Sequence, residues 1–142
     1  MAEHLNKILF IGGKGGVGKS TSAAAVAWKL AKENKKTLLI STDPAHNLGD
    51  IFSQEIGGET QKITDNLYAL EIDPETETTK YINSVKENIK GTVQSSMIDE
   101  VNRQLDTAKA SPGADESALF DKLISIILEE EKVYDHLVFD TA

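Results

Sequence analysis

Gly12-Gly13-Lys14-Gly15-Gly16-Val17-Gly18-Lys19-Ser20-Thr21 carries the spacing Gly-x-x-x-x-Gly-Lys-Ser, the pattern of a loop that wraps phosphate groups. The apolar run Lys7-Ile8-Leu9-Phe10-Ile11 precedes it, and an alanine-rich stretch from Ser20 to Glu33 follows it. The first has the composition of a buried parallel strand and the second that of a helix. Strand, glycine loop and helix therefore stand in the order the motif requires. The expected fold is α/β, with a mostly parallel sheet flanked by helices.

Each residue of the loop has a physical task. Gly13, Gly15, Gly16 and Gly18 let phosphate oxygens come close to the backbone amides, that of Val17 included. The positive end of the following helix adds to the attraction. Lys19 is expected on the outer phosphates, Ser20 on Mg²⁺, and Thr21 as a further phosphate donor. Lys14 is an additional cation, placed to reach the same phosphates or those of a facing subunit. The expected ligands are ATP or ADP with Mg²⁺.

Composition restricts the rest. The chain has 142 residues, 39% of them apolar, enough for one modest domain. No run approaches the roughly 20 apolar residues of a membrane span. The first five residues lead straight into the first strand, leaving no room for a signal peptide. Cysteine is absent, so no thiolate nucleophile or ligand is available, which suits a cytoplasmic setting. The formal net charge is -8, and no basic groove interleaved with aromatics is visible, which argues against nucleic acid as a partner. Lys32, Lys35 and Lys36 read as the solvated end of a helix.

Beyond the loop, Thr37–Thr42 forms a second strand and closes a βαβ unit, which brings both ligand-facing loops to one sheet edge. Asp43 leaves that strand next to the phosphate loop and is assigned to orienting and polarising an attacking water. His46, a few residues on, is given a structural or relay role. Leu67–Ile72 is a third strand. Asp73-Pro74 reads as the start of a helix, with Asp73 as N-cap. Tyr81, Val85, Ile89, Val93, Met97, Val101 and Leu105 then recur at every fourth residue. That repeat drifts around a straight helix, so two helices broken near Gly91 are expected. The region 75–110 is longer than a crossover needs and reads as a helical insertion. Its stripe is packing surface or, alternatively, a groove for an apolar partner. Ser117–Glu131 is a further helix, with Ala118, Leu119, Leu123, Ile126, Ile127 and Leu128 facing the core. Tyr134–Asp140 is a buried strand with an acidic tip, and Asp140 is expected to organise Mg²⁺.

Several of these segments carry a family resemblance. Residues 12–21 resemble the deviant Walker A loop of the P-loop NTPase superfamily containing MinD and the nitrogenase iron protein. Ser41-Thr42-Asp43-Pro44-Ala45-His46-Asn47-Leu48-Gly49-Asp50 resembles switch I of the arsenite-efflux and tail-anchored-protein-targeting ATPases. Ser111-Pro112-Gly113 is similar to that family's Ala-Pro-Gly segment, and residues 134–142 are similar to its Walker-B strand.

The resemblance implies that Lys14 is the signature lysine contacting nucleotide across a dimer. It implies Lys19 on phosphate, Ser20 on magnesium and Thr21 as a phosphate donor. Asp43 would then activate water, Asn47 lie near the γ-phosphate, and Asp140 act on Mg²⁺ through water. A homodimer or pseudo-dimer is implied, with either a membrane efflux protein or a hydrophobic membrane-protein client as partner. Region 75–110 would begin the partner-binding subdomain. Family members continue past the Walker-B strand with Pro-Thr-Gly-His-Thr, so residues 1–142 are expected to be the N-terminal part of such an ATPase, with the sheet incomplete at its C-terminal end. The function implied is the ATP-hydrolysing subunit of an arsenite or anion efflux pump. The alternatives are a targeting factor for tail-anchored proteins and a nucleotide-binding scaffold without turnover.

Overall fold

The computed structural model describes residues 7–12, 19–42 and 48–141, and backbone but not side chain at Lys19. Five strands form one sheet: β1 (Ile8–Ile11), β2 (Thr37–Ser41), β3 (Gln61–Thr64), β4 (Leu67–Glu71) and β5 (His136–Asp140). Their spatial order is β1-β5-β2-β4-β3, parallel throughout except for the antiparallel β3–β4 pair. This is the expected α/β architecture. The helices are α1 (Lys19–Lys32), α2 (Leu48–Phe52), α3 (Pro74–Ile89), α4 (Ser95–Lys109) and α5 (Ala114–Glu130).

The two central strands have the sequences that burial on both faces demands. Every residue of β2 and β5 is buried, and Leu38, Leu39, Ile40, Leu137, Val138 and Phe139 are each fully so. Each such Leu, Val, Ile or Phe contributes about 1.5–3 kcal/mol by leaving water. Leu39 and Val138 share one core with Ala23, Ala24, Ala27, Leu30 and Ala31 of α1. The alanines are small enough to let the helix axis lie close to the sheet. They also favour the helix itself. The end of α1 is a Schellman turn on Asn34 at φ 63°, where Lys35 N–H donates to Leu30 and Asn34 N–H to Ala31.

The described residues fall into two units, residues 1–73 with 125–142, and residues 74–124. The first holds the sheet and α1. Within the second, α3 begins at Pro74, where the sequence placed it, and the chain breaks between Ile89 and Ser95 around Gly91. A Lys86–Asp106 ion pair of 2.7 Å joins α3 to α4, and Thr78 Oγ1 donates to Asp115 Oδ1 at 2.6 Å. Val85, Ile89, Val93, Val101 and Leu105 are half-buried, while Tyr81 and Met97 are exposed. The stripe thus packs along most of its length and opens at two positions.

Three expectations are corrected. Helix α5 starts at Ala114, three residues before the expected Ser117, because Gly113 takes φ 88° and turns the chain early. Leu128 is 70% exposed rather than core, since Ile126 already occupies the inward position in that turn. β3 was missed altogether: its only large apolar residue is Ile63, and it is an edge strand paired through the Asp65-Asn66 turn.

Two lysines of the 32–36 cluster lie against aromatic rings. Lys32 Nζ lies 4.9 Å from the Trp28 ring centre, and Lys36 Nζ lies 5.4 and 5.0 Å from those of Tyr68 and Tyr134.

Candidate functional site

Parallel strands deliver their C-terminal ends to a single edge, and chemistry collects there. Asp140 is the last residue of β5 and is fully buried. Ser20 is the second residue of α1 and is 3% exposed. Ser20 Oγ donates a hydrogen bond of 2.5 Å to Asp140 Oδ2, joining residues 120 positions apart. Ser41, the last residue of β2, donates to the same Oδ2 at 3.4 Å. Thr42 N–H donates to the Asp140 carbonyl at 2.9 Å, and its hydroxyl reaches the same oxygen at 3.4 Å.

The phosphate-loop strand is fastened to the same edge. Thr141 N–H donates to the Ile11 carbonyl at 3.0 Å. A methyl group added at Gly12 would lie 3.0 Å from Thr141 Oγ1, so the loop leaves β1 through a position where any side chain crowds its neighbour. The sheet thereby holds the start of the glycine loop, the acidic strand tip and the start of the second loop within one hydrogen-bonded frame.

A hydroxyl and a carboxylate are hard oxygen donors, the set Mg²⁺ prefers. Among the described residues no group of three or more His, Cys, Asp or Glu side chains converges to hold a metal. An ion at this edge would thus draw on Ser20, Asp140, water and phosphate oxygens, the usual division for magnesium in nucleotide sites. The pair fits the group.

Thr21 lies exposed in the first turn of α1. Gly13, Lys14, Gly15, Gly16, Val17, Gly18, Asp43, His46 and Asn47 lie outside the described residues, as does the side chain of Lys19. Ser41, Thr42 and Thr141 were given no role from sequence. The available signal was position: each stands next to a strand end at the ligand-facing edge.

Glu71, at the end of β4, was missed too. Its carboxylate accepts hydrogen bonds from the backbone N–H groups of Leu48 and Gly49, at the start of α2. Burial raises its pKa above the ordinary value, nearby Asp50 adds to the rise, and the two amides oppose it.

Comparisons with known proteins agree with this geometry. The model of the anion-transporting ATPase family matches residues 6–142. The arsenical pump-driving ATPase of Escherichia coli is 38% identical over 144 residues, covering 99% of this chain and 24% of that protein. ATPase GET3 of Mycosarcoma maydis is 43% identical over 138 residues, 96% of this chain and 39% of that protein. ATPase ASNA1 homolog 2 of Paramecium tetraurelia is 43% identical over 141 residues, 96% of this chain and 40% of that protein. The chain spans less than half the length of these curated relatives. With a phosphate-loop sequence, a Ser20–Asp140 pair at the sheet edge and a family match over nearly all its length, the chain belongs to the anion-transporting ATPase family.

Proposed function

We propose that this chain is the nucleotide-binding part of an ATPase that drives an arsenite or other anion efflux pump. The observation that carries the reading is the buried Ser20–Asp140 hydrogen bond beside the phosphate-loop sequence. The amides of residues 13–18 and Lys19 hold the phosphates of ATP. Asp43 orients a water in line with the γ-phosphorus, and Asn47 lies near that phosphate. Ser20 and, through water, Asp140 would hold magnesium, which would neutralise charge on the phosphates. Asp140 needs no freedom for this, since its carbonyl and carboxylate are already fixed by Thr42, Ser41 and Ser20.

Lys14 acts across a dimer in this reading. Its ammonium adds charge stabilisation to the partner's phosphates as two subunits close around nucleotide. The protein works in the cytoplasm, and reaches the membrane through its efflux partner. No helix among the described residues is long and apolar enough to cross a membrane.

A second reading, a targeting factor for tail-anchored membrane proteins, is favoured by two observations. Relatives named ATPase GET3 match at 37–43% identity. In the helical unit a cavity of about 260 Å³, lined by Tyr81, Ile82, Ala108 and Ala118 among others, offers apolar surface. The helical region 75–110 is the partner-binding part in either case.

Magnesium-dependent phosphate release from ATP tests the reading, with Lys19→Ala as control. The pump reading expects turnover that rises with arsenite. The targeting reading expects capture of a hydrophobic membrane-anchor peptide in the ATP state and no response to arsenite. Binding of ATP without any turnover would leave only the nucleotide-binding scaffold.

A further inference from the structure

The chain leaves the sheet at Ser41 and comes back to described structure at Leu48, and both points meet the end of β4. Ser41 stands opposite Glu71 in the parallel register, and Ile72 N–H donates to the Ser41 carbonyl at 2.8 Å. At the returning end, the Leu48 and Gly49 amides donate to the Glu71 carboxylate. Leu48 itself is fully buried in the sheet–α1 core. Glu71 is held from a third direction, since its own N–H donates to the Gly57 carbonyl at 2.8 Å. Gln54 N–H closes the turn of α2 on Gly49 at 3.1 Å. One short strand end therefore ties both ends of the connection that carries Asp43 and Asn47.

We propose that Glu71 is a positioning residue for ATP hydrolysis, whose carboxylate fixes where the Asp43-bearing connection rejoins the fold. The inference rests on the role given above to Asp43. Two successive amides on one carboxylate make charge-assisted bonds, stronger and more directional than those of a neutral acceptor. The arrangement is maintained although Asp50 lies close enough to repel the carboxylate and burial disfavours its charge. The protein partners of Glu71 are the Leu48 and Gly49 amides and the Gly57 carbonyl, and it is assigned no contact with the reacting atoms. Its effect on the reaction passes through the chain between Ser41 and Leu48.

The test compares wild type with Glu71→Gln and Glu71→Asp in the intact protein, by two measurements. The first is hydrogen–deuterium exchange at the Leu48 and Gly49 amides, which needs no activity. Glu71→Gln should exchange there about tenfold faster, with the β2 and β5 amides unchanged. The second is steady-state ATP hydrolysis. Glu71→Gln should lower kcat by about tenfold and leave the KM for ATP within about twofold. Glu71→Asp, which keeps the charge, should recover part of kcat. Unchanged exchange at Leu48 and Gly49 overturns the anchoring. Faster exchange with unaltered kcat overturns the link to catalysis, as does a variant that loses KM and kcat together through general unfolding. If wild type does not hydrolyse ATP, the ATPase reading fails by itself and the exchange result decides on the anchor alone.

Discussion

Ser20 Oγ and Asp140 Oδ2 are 2.5 Å apart at the C-terminal edge of the sheet, one on the first turn of α1 and the other at the tip of β5. The contact joins the end of the phosphate-loop sequence to the acidic strand across 120 positions. Ser41 supports the same oxygen from the neighbouring strand at 3.4 Å.

That arrangement separates the two serines by experiment. Ser20→Ala removes a proposed magnesium ligand and is expected to abolish the magnesium-dependent gain in ATP affinity. Ser41→Ala removes a hydrogen bond to the Asp140 carboxylate from outside the proposed magnesium ligands and should weaken magnesium dependence by about tenfold. Calorimetric ATP titrations with and without magnesium distinguish them. Equal effects of the two substitutions would mean that Ser20 has no privileged place at the metal.

Asp43→Asn addresses the step itself. A carboxylate that orients and polarises water acts in the transition state, so its loss should fall on kcat. The expected decrease is on the order of 10²–10⁴, with ATP affinity within about twofold of wild type. Stopped-flow phosphate release paired with equilibrium binding makes the comparison. A loss seen only in binding would assign Asp43 to ground-state architecture.

Much of this was legible from the sequence because the central elements obey strong local rules. Residues 37–41 and 136–140 are apolar runs ending in polar tips, a pattern that fits a doubly buried parallel strand. Asp140 could be singled out as the polar end of such a run, and Ser20 by its place in the loop motif. Glu71 could not. Its role arises from Leu48 and Gly49, more than 20 positions earlier, whose amides come to it only when β2 and β4 pair. Nothing in Leu70-Glu71-Ile72 distinguishes a carboxylate that binds amides from one facing water. β3 was illegible for a different reason. Gln61-Lys62-Ile63-Thr64 has no alternation to detect, and it becomes a strand because β4 offers it an open edge.

The close approach of α1 to the sheet predicts a sharp contrast between two alanines. Ala27 is fully buried among Leu39, Val138 and the other core residues. Ala27→Leu inserts three carbons into a packed interface and should cost about 1–3 kcal/mol. Ala25, on the same helix, is exposed, and Ala25→Leu should stay within about 0.5 kcal/mol of wild type. Urea unfolding followed by circular dichroism measures both. Equal, small effects would show that α1 does not lie tightly against the sheet.

Glu71 makes stability depend on pH in a defined direction. Burial is the largest influence on its carboxyl group and raises the pKa from the ordinary 4.5, with Asp50 pushing the same way and the Leu48 and Gly49 amides pulling back. The folded state thus holds this proton more tightly than the unfolded chain does. Its contribution to stability is fully present below the unfolded value and is lost as pH rises through the folded one. Glu71→Gln abolishes the titration while keeping the side chain's size and one carbonyl acceptor. The stability of wild type relative to Glu71→Gln should therefore be highest on the acid side and decline as pH rises from about 4.5 upward. Asp50→Asn should reduce that decline by removing a repelling charge. Denaturant unfolding of the three proteins on both sides of this window gives the answer. A difference that is flat with pH, or that grows in favour of wild type as pH rises, would mean that the two amides outweigh burial at this carboxylate.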